Sequence, residues 1–406
     1  MRESKIFDIA IVGGGIVGLA SAFKLQKKYP HLSIAVLEKE EELAFHQTGR
    51  NSGVIHSGLY YRPGSFRATN CVNGRKQLVA FAEKHQIDHE VCGKIVVATR
   101  EDELVRLNKI RENGLQNGLK GIEIIDSEQI IQIEPFIKGI KALWVPESGI
   151  IDFKAVTIKL AELIKEINPI SEIITSCKVK HFDKGETSQI YTSKGLIQSR
   201  YIVFCAGLHS DRMARKDQID LDMRIVGFRG DYYDLTPQGK KKIKNLVYPV
   251  PNPEFPFLGV HFTRMTDGTI ECGPNAVFTF KREGYGKTDF NFRDTLEALL
   301  FSGTWKLFFK QWRFGLDEYK RAFSKRLFLN QLQRMCPSLT LDDIVPGRSG
   351  VRAMALGDSG DVIDDFKIEY KDRSIHVLNA PSPAATACLA IGDEVMAMAE
   401  THFSLD

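Results

Sequence analysis

The stretch that most narrows what this chain can fold into is Asp8-Ile9-Ala10-Ile11-Val12-Gly13-Gly14-Gly15-Ile16-Val17-Gly18. The apolar run 9–12 reads as a buried parallel strand. It leads straight into G-x-G-x-x-G at Gly13, Gly15 and Gly18. The first glycine permits a tight turn, the second lets backbone approach a pyrophosphate, and the third lets helix pack on strand. The helix that follows, opening with Ile16 and Val17, would aim free N–H groups and its positive dipole end at that phosphate. A second apolar run, 34–37, ends on Glu38 with Lys39 beside it, twenty residues past Gly18. A carboxylate there can grip both hydroxyls of an adenosine ribose. An acid rather than a base at this strand end argues against a 2′-phosphate, hence against NADP. NAD and FAD both remain open at this point.

The 406 residues allow two or three domains. With 43% hydrophobic and 26% charged residues, nothing suggests wholesale disorder. A formal charge of +4 gives no reason to expect nucleic acid as a partner. Seven scattered cysteines, none in C-x-x-C spacing, argue for reduced thiols in a cytosol rather than a disulfide framework or a zinc site. We expect no metal. Residues 1–8 are polar and enter the first strand directly, which argues against a signal peptide. No apolar run reaches the ~20 residues needed to span a bilayer.

Downstream lies Phe45-His46-Gln47-Thr48-Gly49-Arg50-Asn51-Ser52-Gly53-Val54-Ile55-His56-Ser57-Gly58-Leu59-Tyr60-Tyr61, a polar loop punctuated by glycine. It resembles the segment with which the D-amino-acid-oxidase-like flavoproteins wrap the FAD pyrophosphate and reach the isoalloxazine ring. More narrowly, G-R-N-S-G-V-I-H-S-G-L-Y-Y resembles the L-2-hydroxyglutarate oxidase and dehydrogenase family, as do 255–264 and 376–391. The resemblance implies non-covalent FAD, with Thr48, Gly49, Arg50, Asn51, Ser52 and Gly53 along the cofactor and Arg50 at the pyrophosphate. It also nominates Val179 at the adenine, Ala206 and Gly207 at a strand-ending turn, and Pro383, Ala384, Ala385 and Thr386 at the flavin pyrimidine edge. The implied fold is α/β: a Rossmann-like FAD domain at 1–86, 151–218 and 340–406, interleaved with an α+β substrate domain on a mixed or antiparallel sheet at 87–150 and 219–339.

The implied reaction takes L-2-hydroxyglutarate to 2-oxoglutarate, with hydride passing to flavin N5 and electrons onward to a quinone or oxygen. Removing the hydroxyl proton calls for a base poised near neutral pH, which points to histidine. His56 is favoured because the family presents its loop to the isoalloxazine ring. His261 and His376 are reserves, and His261 can instead orient the substrate. A small dicarboxylate wants arginine, which binds carboxylates bidentately. Arg352 and Arg264 are the choices, with Tyr232, Tyr233 and Tyr60 as hydroxyl donors. Strand alternation places His261 with Thr263 and Arg264 with Phe262, so His261 and Arg264 cannot share one pocket unless the strand bends. Two alternatives stay open: an amine or amino-acid oxidase on the same scaffold, and a non-catalytic FAD-binding protein.

One segment stands apart. In 294–314, Trp305, Phe308, Phe309 and Trp312 fall at helical spacing with Lys306, Lys310 and Arg313 on the flank. Such a helix either packs its aromatics on its own core or lies at a membrane surface, where the enzyme would meet a quinone. The expected location is therefore cytoplasmic, with peripheral contact on the inner face of the cell membrane.

Overall fold

A computed structural model describes residues 5–252 and 259–405. The motif at 255–264 begins in the interval 253–258, which lies outside the described residues; within them its strand is His261–Arg264.

Two large sheets organise the chain, and both follow from how apolar residues alternate. In the first, Ile6–Val12 lies between Ile34–Leu37 and Gly195–Phe204, parallel to both, and Glu172–Ile174 continues beyond Ile34–Leu37. The other edge of Gly195–Phe204 is shared. Its first half takes the antiparallel hairpin of Val179–Asp183 and Ser188–Thr192, and its second half takes Ser374–Asn379 in parallel. Ile9 and Ile11 face a helical layer with Ile34 and Val36, while Ala10 and Val12 face Val179, Phe182 and Phe204. Burial on both faces is why these strands read as continuous apolar runs. Helices Ile16–Lys28, Phe153–Ile167 and Cys388–His402 form the layer, and Phe66–His85 packs on the last of them. Ser65 caps Phe66–His85 by accepting from the Ala68 N–H at 3.1 Å.

The second sheet is mixed. Met223–Leu235 pairs with Ile344–Gly357 on one side and with Val277–Phe278 and Ile270–Gly273 on the other. His261–Arg264, Leu246–Pro249, Lys94–Ala98, Lys141–Val145 and Glu123–Asp126 follow in order. Ile95 and Val97 enter one core with Phe262 and Phe328, and Val96 and Ala98 enter another with Tyr248 and Leu107. The segment expected to return to the cofactor part at 340 instead contributes Ile344–Gly357 to this second sheet, in antiparallel register from Met223↔Gly357 to Leu235↔Ile344. The first sheet regains the chain at Lys367–Lys371 and Ser374–Asn379.

Between the sheets sits a small third one, Val54–Ile55, Gly149–Ile151 and His89–Glu90. It fixes Val54 opposite Ile150 and Ile55 opposite Gly149, so that the chain emerges from a defined strand end at His56.

Candidate active site

The glycine turn is built as its spacing requires. Gly13 has φ +121°, and a Cβ there would sit 2.3 Å from the Cys205 carbonyl oxygen. A Cβ on Gly18 would lie 2.0 Å from the Gly13 oxygen, so helix and strand touch backbone to backbone. Gly15 differs: a Cβ there meets only Thr48 Oγ1, at 3.4 Å. Space above Gly15 is therefore open, and helix Ile16–Lys28 carries no side-chain cap at this end. The Ile16 N–H is engaged by Thr48 Oγ1 at 3.1 Å.

From this turn runs a cleft of about 950 Å³. Gly13, Gly15, Glu38, Lys39, Thr48, Val179, Ala206 and Gly207 all line it. Glu38 accepts from Gly14 N–H at 2.7 Å and from Glu40 N–H at 2.9 Å, one backbone donor per carboxylate oxygen. Lone pairs remain on both oxygens for hydroxyl donors. Lys39 bridges Glu40 and Glu283 at the rim, at 2.5 and 2.7 Å.

Other members of the loop hold it in place. Asn51 donates to the Gln47 and Thr48 carbonyls and accepts from Gly53 N–H. Arg348 donates to the Gly49 carbonyl at 2.8 Å and the Asn51 carbonyl at 2.6 Å. The Arg50 guanidinium lies over the Tyr285 ring at 3.9 Å and the Phe45 ring at 5.3 Å, and bonds the Phe45 and Ser349 carbonyls. Those contacts hold the loop closed.

At its far end the loop carries His56 into a second group of polar side chains. Its backbone N–H donates to Thr386 Oγ1 at 3.1 Å, and Thr386 in turn donates to the Val54 carbonyl at 3.2 Å. The turn at 382–387, with Pro383, Ala384 and Ala385, thereby sits against the His56 strand end, ahead of helix Cys388–His402. The His56 ring is half-buried. Its pKa is pulled down to about 3, first by desolvation, then by the positive groups Lys94, Arg67, His261 and Arg352. At neutral pH the imidazole is uncharged, and its basicity lies well below that of the near-neutral base the sequence led us to expect.

His261 stacks on Tyr248, ring centroids 3.9 Å apart, and its Nδ1–H donates to the Gly259 carbonyl at 2.9 Å. That bond leaves Nε2 as an acceptor. Arg352 hydrogen-bonds the buried Tyr232. The buried Tyr60 hydroxyl has no partner among the described residues.

Three expected residues stand outside this pocket. Arg264 binds Glu90 at 2.6 Å, because strand alternation turns it away from His261, as period two demands. Tyr233 faces the opposite core, its ring 4.7 Å from Phe328. His376 is sealed in the first sheet, bonded to Asp217 at 2.8 Å and stacked on Phe204. The pocket also holds side chains the sequence reading passed over: Tyr248, Arg67 and Lys94. Lys94 carried a usable signal, since it shares a strand face with Val96 and Ala98 and so occupies a position patterned for burial.

A family model described as FAD dependent oxidoreductase matches residues 8–398. The chain belongs to this family. The L-2-hydroxyglutarate dehydrogenase of Indibacter alkaliphilus is 46% identical over 399 residues, covering 98% of this chain and all of that protein. The human mitochondrial L-2-hydroxyglutarate dehydrogenase is 42% identical, covering 98% of this chain and 90% of that one. Among solved structures, the FAD-bound L-α-glycerophosphate oxidase of Mycoplasma pneumoniae superposes with a TM-score of 0.80 at 22% identity, over 98% of this chain and 95% of that one. This last likeness is one of fold.

FAD, the cofactor of the family, fits what the chain provides. The space over Gly15, the uncapped helix start, and a carboxylate with spare lone pairs all face one long cleft.

Proposed function

We propose that this FAD dependent oxidoreductase oxidises L-2-hydroxyglutarate to 2-oxoglutarate. The observation that carries the reading is the make-up of the His56 pocket. Arg67 and Arg352 press permanent positive charge on His56, Lys94 adds to it when protonated, and the Tyr60 hydroxyl has no hydrogen-bond partner among the described residues. Such a lining complements a dianion with a hydroxyl between two carboxylates. An amino-acid substrate would bring an ammonium group into this field, which the lining repels. The relatives named L-2-hydroxyglutarate dehydrogenase support the same choice.

FAD, when bound, supplies the two-electron acceptor. The rest is the work of side chains. Arg352, steadied by Tyr232, takes one substrate carboxylate bidentately. His56, neutral at working pH, removes the hydroxyl proton as the C–H bond breaks. His261 presents Nε2 as an acceptor that orients the same hydroxyl. Gly13, Gly15 and the first turn at Ile16, Val17 and Gly18 hold the pyrophosphate, Glu38 the ribose, and Val179, Ala206 and Gly207 the adenosine side of the cleft. On this reading the first sheet carries the cofactor and the second, including 344–357, carries the substrate. Steady-state turnover is expected with L-2-hydroxyglutarate and absent with glycine, sarcosine and proline; the reverse pattern would transfer the chain to the amino-acid oxidases.

We further propose that electrons leave at a membrane surface, to a quinone. Among the described residues no helix is long and apolar enough to cross a membrane. Support comes from helices Phe292–Leu299 and Ser302–Phe323. Phe308 packs inward against Phe278, but Phe292, Leu300, Phe309, Trp312 and Phe323 are each more than half exposed. A row of large apolar side chains left in water is costly unless something covers it. In a flotation assay with anionic vesicles the wild type is expected to rise with the lipid, and the Trp305→Glu, Trp312→Glu double variant to stay at the bottom. Equal flotation of the two would remove the idea.

A further inference from the structure

Lys94 opens strand Lys94–Ala98 and is only 1% exposed. Its stem lies on the face of Val96 and Ala98, over the core that contains Leu143, Val145 and Leu246. The ammonium nitrogen sits 4.7 Å from the centroid of the Tyr60 ring and 4.8 Å from that of Tyr248. No hydrogen bond or ion pair holds it among the described residues. Lysine is almost never fully buried without a partner, since an isolated ammonium in a dry surround costs several kcal/mol.

The groups facing it offer no counter-charge. The His56 loop brings His56 and Tyr60, and Leu246–Pro249 brings Tyr248. Strand His261–Arg264 brings His261, while Arg352, on Ile344–Gly357, acts on the same His56 that Lys94 does. Helix Phe66–His85 brings Arg67 and the Cys71 thiol, which burial holds near pKa 12 and so uncharged. Glu147, on the turn after Lys141–Val145, is taken by Arg75 at 3.1 Å. Two aromatic faces can cradle a cation, but each is worth only about 0.5–2 kcal/mol. The lysine is built for an anion that arrives from outside.

We propose that Lys94 is the anchor for the second carboxylate of the substrate, the first being held by Arg352, and that it becomes charged when that carboxylate binds. This rests on the dicarboxylate reading above. Burial lowers the Lys94 pKa to about 7, so at pH 8 the amine is mostly neutral in the free enzyme. A carboxylate delivered beside it restores the ammonium, and one proton is drawn from solution. The neutral form removes most of the penalty of burial between substrates.

The test is calorimetric titration of the FAD-loaded enzyme with 2-oxoglutarate at pH 8, in phosphate and in Tris, whose ionisation heats differ. For a group of pKa about 7 the wild type is expected to take up roughly 0.9 proton per site. Lys94→Arg, permanently charged, should bind within about tenfold of wild type and take up almost none. Lys94→Met should bind at least about thirtyfold more weakly, also without uptake. Wild-type affinity in Lys94→Met, or undiminished uptake in Lys94→Arg, would overturn the proposal. Should Lys94→Met lose its FAD, the wild-type buffer dependence decides alone: no uptake refutes the charging of Lys94. Reduction of the wild type by L-2-hydroxyglutarate separates the two claims. A protein so reduced, whose Met variant binds normally, loses only the Lys94 assignment. A protein neither reduced nor able to bind 2-oxoglutarate loses both.

Discussion

Replacing His56 with asparagine is expected to lower kcat by about 10²–10⁴-fold, the usual weight of a general base, while the protein stays yellow. The separation is possible because the loop is held by main chain, not by the imidazole. The His56 N–H is fixed by Thr386, and its carbonyl accepts the Cys71 S–H at 3.4 Å. Asparagine keeps both bonds and a small polar side chain. A pH profile sharpens the expectation. With the imidazole held at about 3 by desolvation and its cationic neighbours, kcat/KM shows no acid limb near the ordinary histidine value of 6.5. On the alkaline side it declines as pH rises through about 7, because Lys94 loses the proton it needs to hold a carboxylate. A variant with wild-type kcat would take the base role from His56. His261 would be next in line, since its Nε2 is the other free acceptor in the pocket.

The second large effect lies in the cofactor cleft. Gly15→Ala is expected to give a folded protein with FAD affinity lowered about a hundredfold or more, near 2.7 kcal/mol. The reasoning turns on what each glycine faces. Gly13 and Gly18 face backbone at 2.3 and 2.0 Å, so a methyl group there damages the fold itself. Gly15 has φ −79° and ψ 172°, extended backbone open to any residue, and an added Cβ meets only Thr48 Oγ1 at 3.4 Å. The apo chain therefore tolerates alanine, and only a group lying against the Gly15 backbone does not. Circular dichroism should match wild type and thermal unfolding should match wild type stripped of FAD, while the visible absorbance of the purified variant falls away. A Gly15→Ala protein with full FAD content would place the pyrophosphate elsewhere.

The reach of sequence reading differs between the two ends of the molecule for a physical reason. Around Gly13 the determinants are local: an apolar strand buried on both faces, glycines at turn positions, an acid at the next strand end. Each leaves its mark within 31 residues, from Asp8 to Glu38. The His56 pocket is assembled instead from segments far apart in the chain. Lys94 opens a strand whose apolar run is plain, yet a lysine at a strand end looks like a surface residue until Tyr60 and Tyr248 close over it. The strand Ile344–Gly357 leaves little apolar pattern in the sequence, because its arginines turn to the loop and to Tyr232 rather than to a core. The contact of Arg50 with Tyr285 could not be read from the sequence, because nothing near Arg50 announces the ring it lies upon. Arg264 is the converse case. Simple alternation along 261–264 opposed its pairing with His261, and the ion pair with Glu90 agrees with alternation rather than with resemblance.

The most direct measurement is an anaerobic titration of the yellow protein with the two enantiomers of 2-hydroxyglutarate, followed in the visible flavin band. Stepwise bleaching by the L enantiomer to one equivalent per FAD, with no change from the D enantiomer, is the predicted result. An undiminished band after excess L-2-hydroxyglutarate would contradict it.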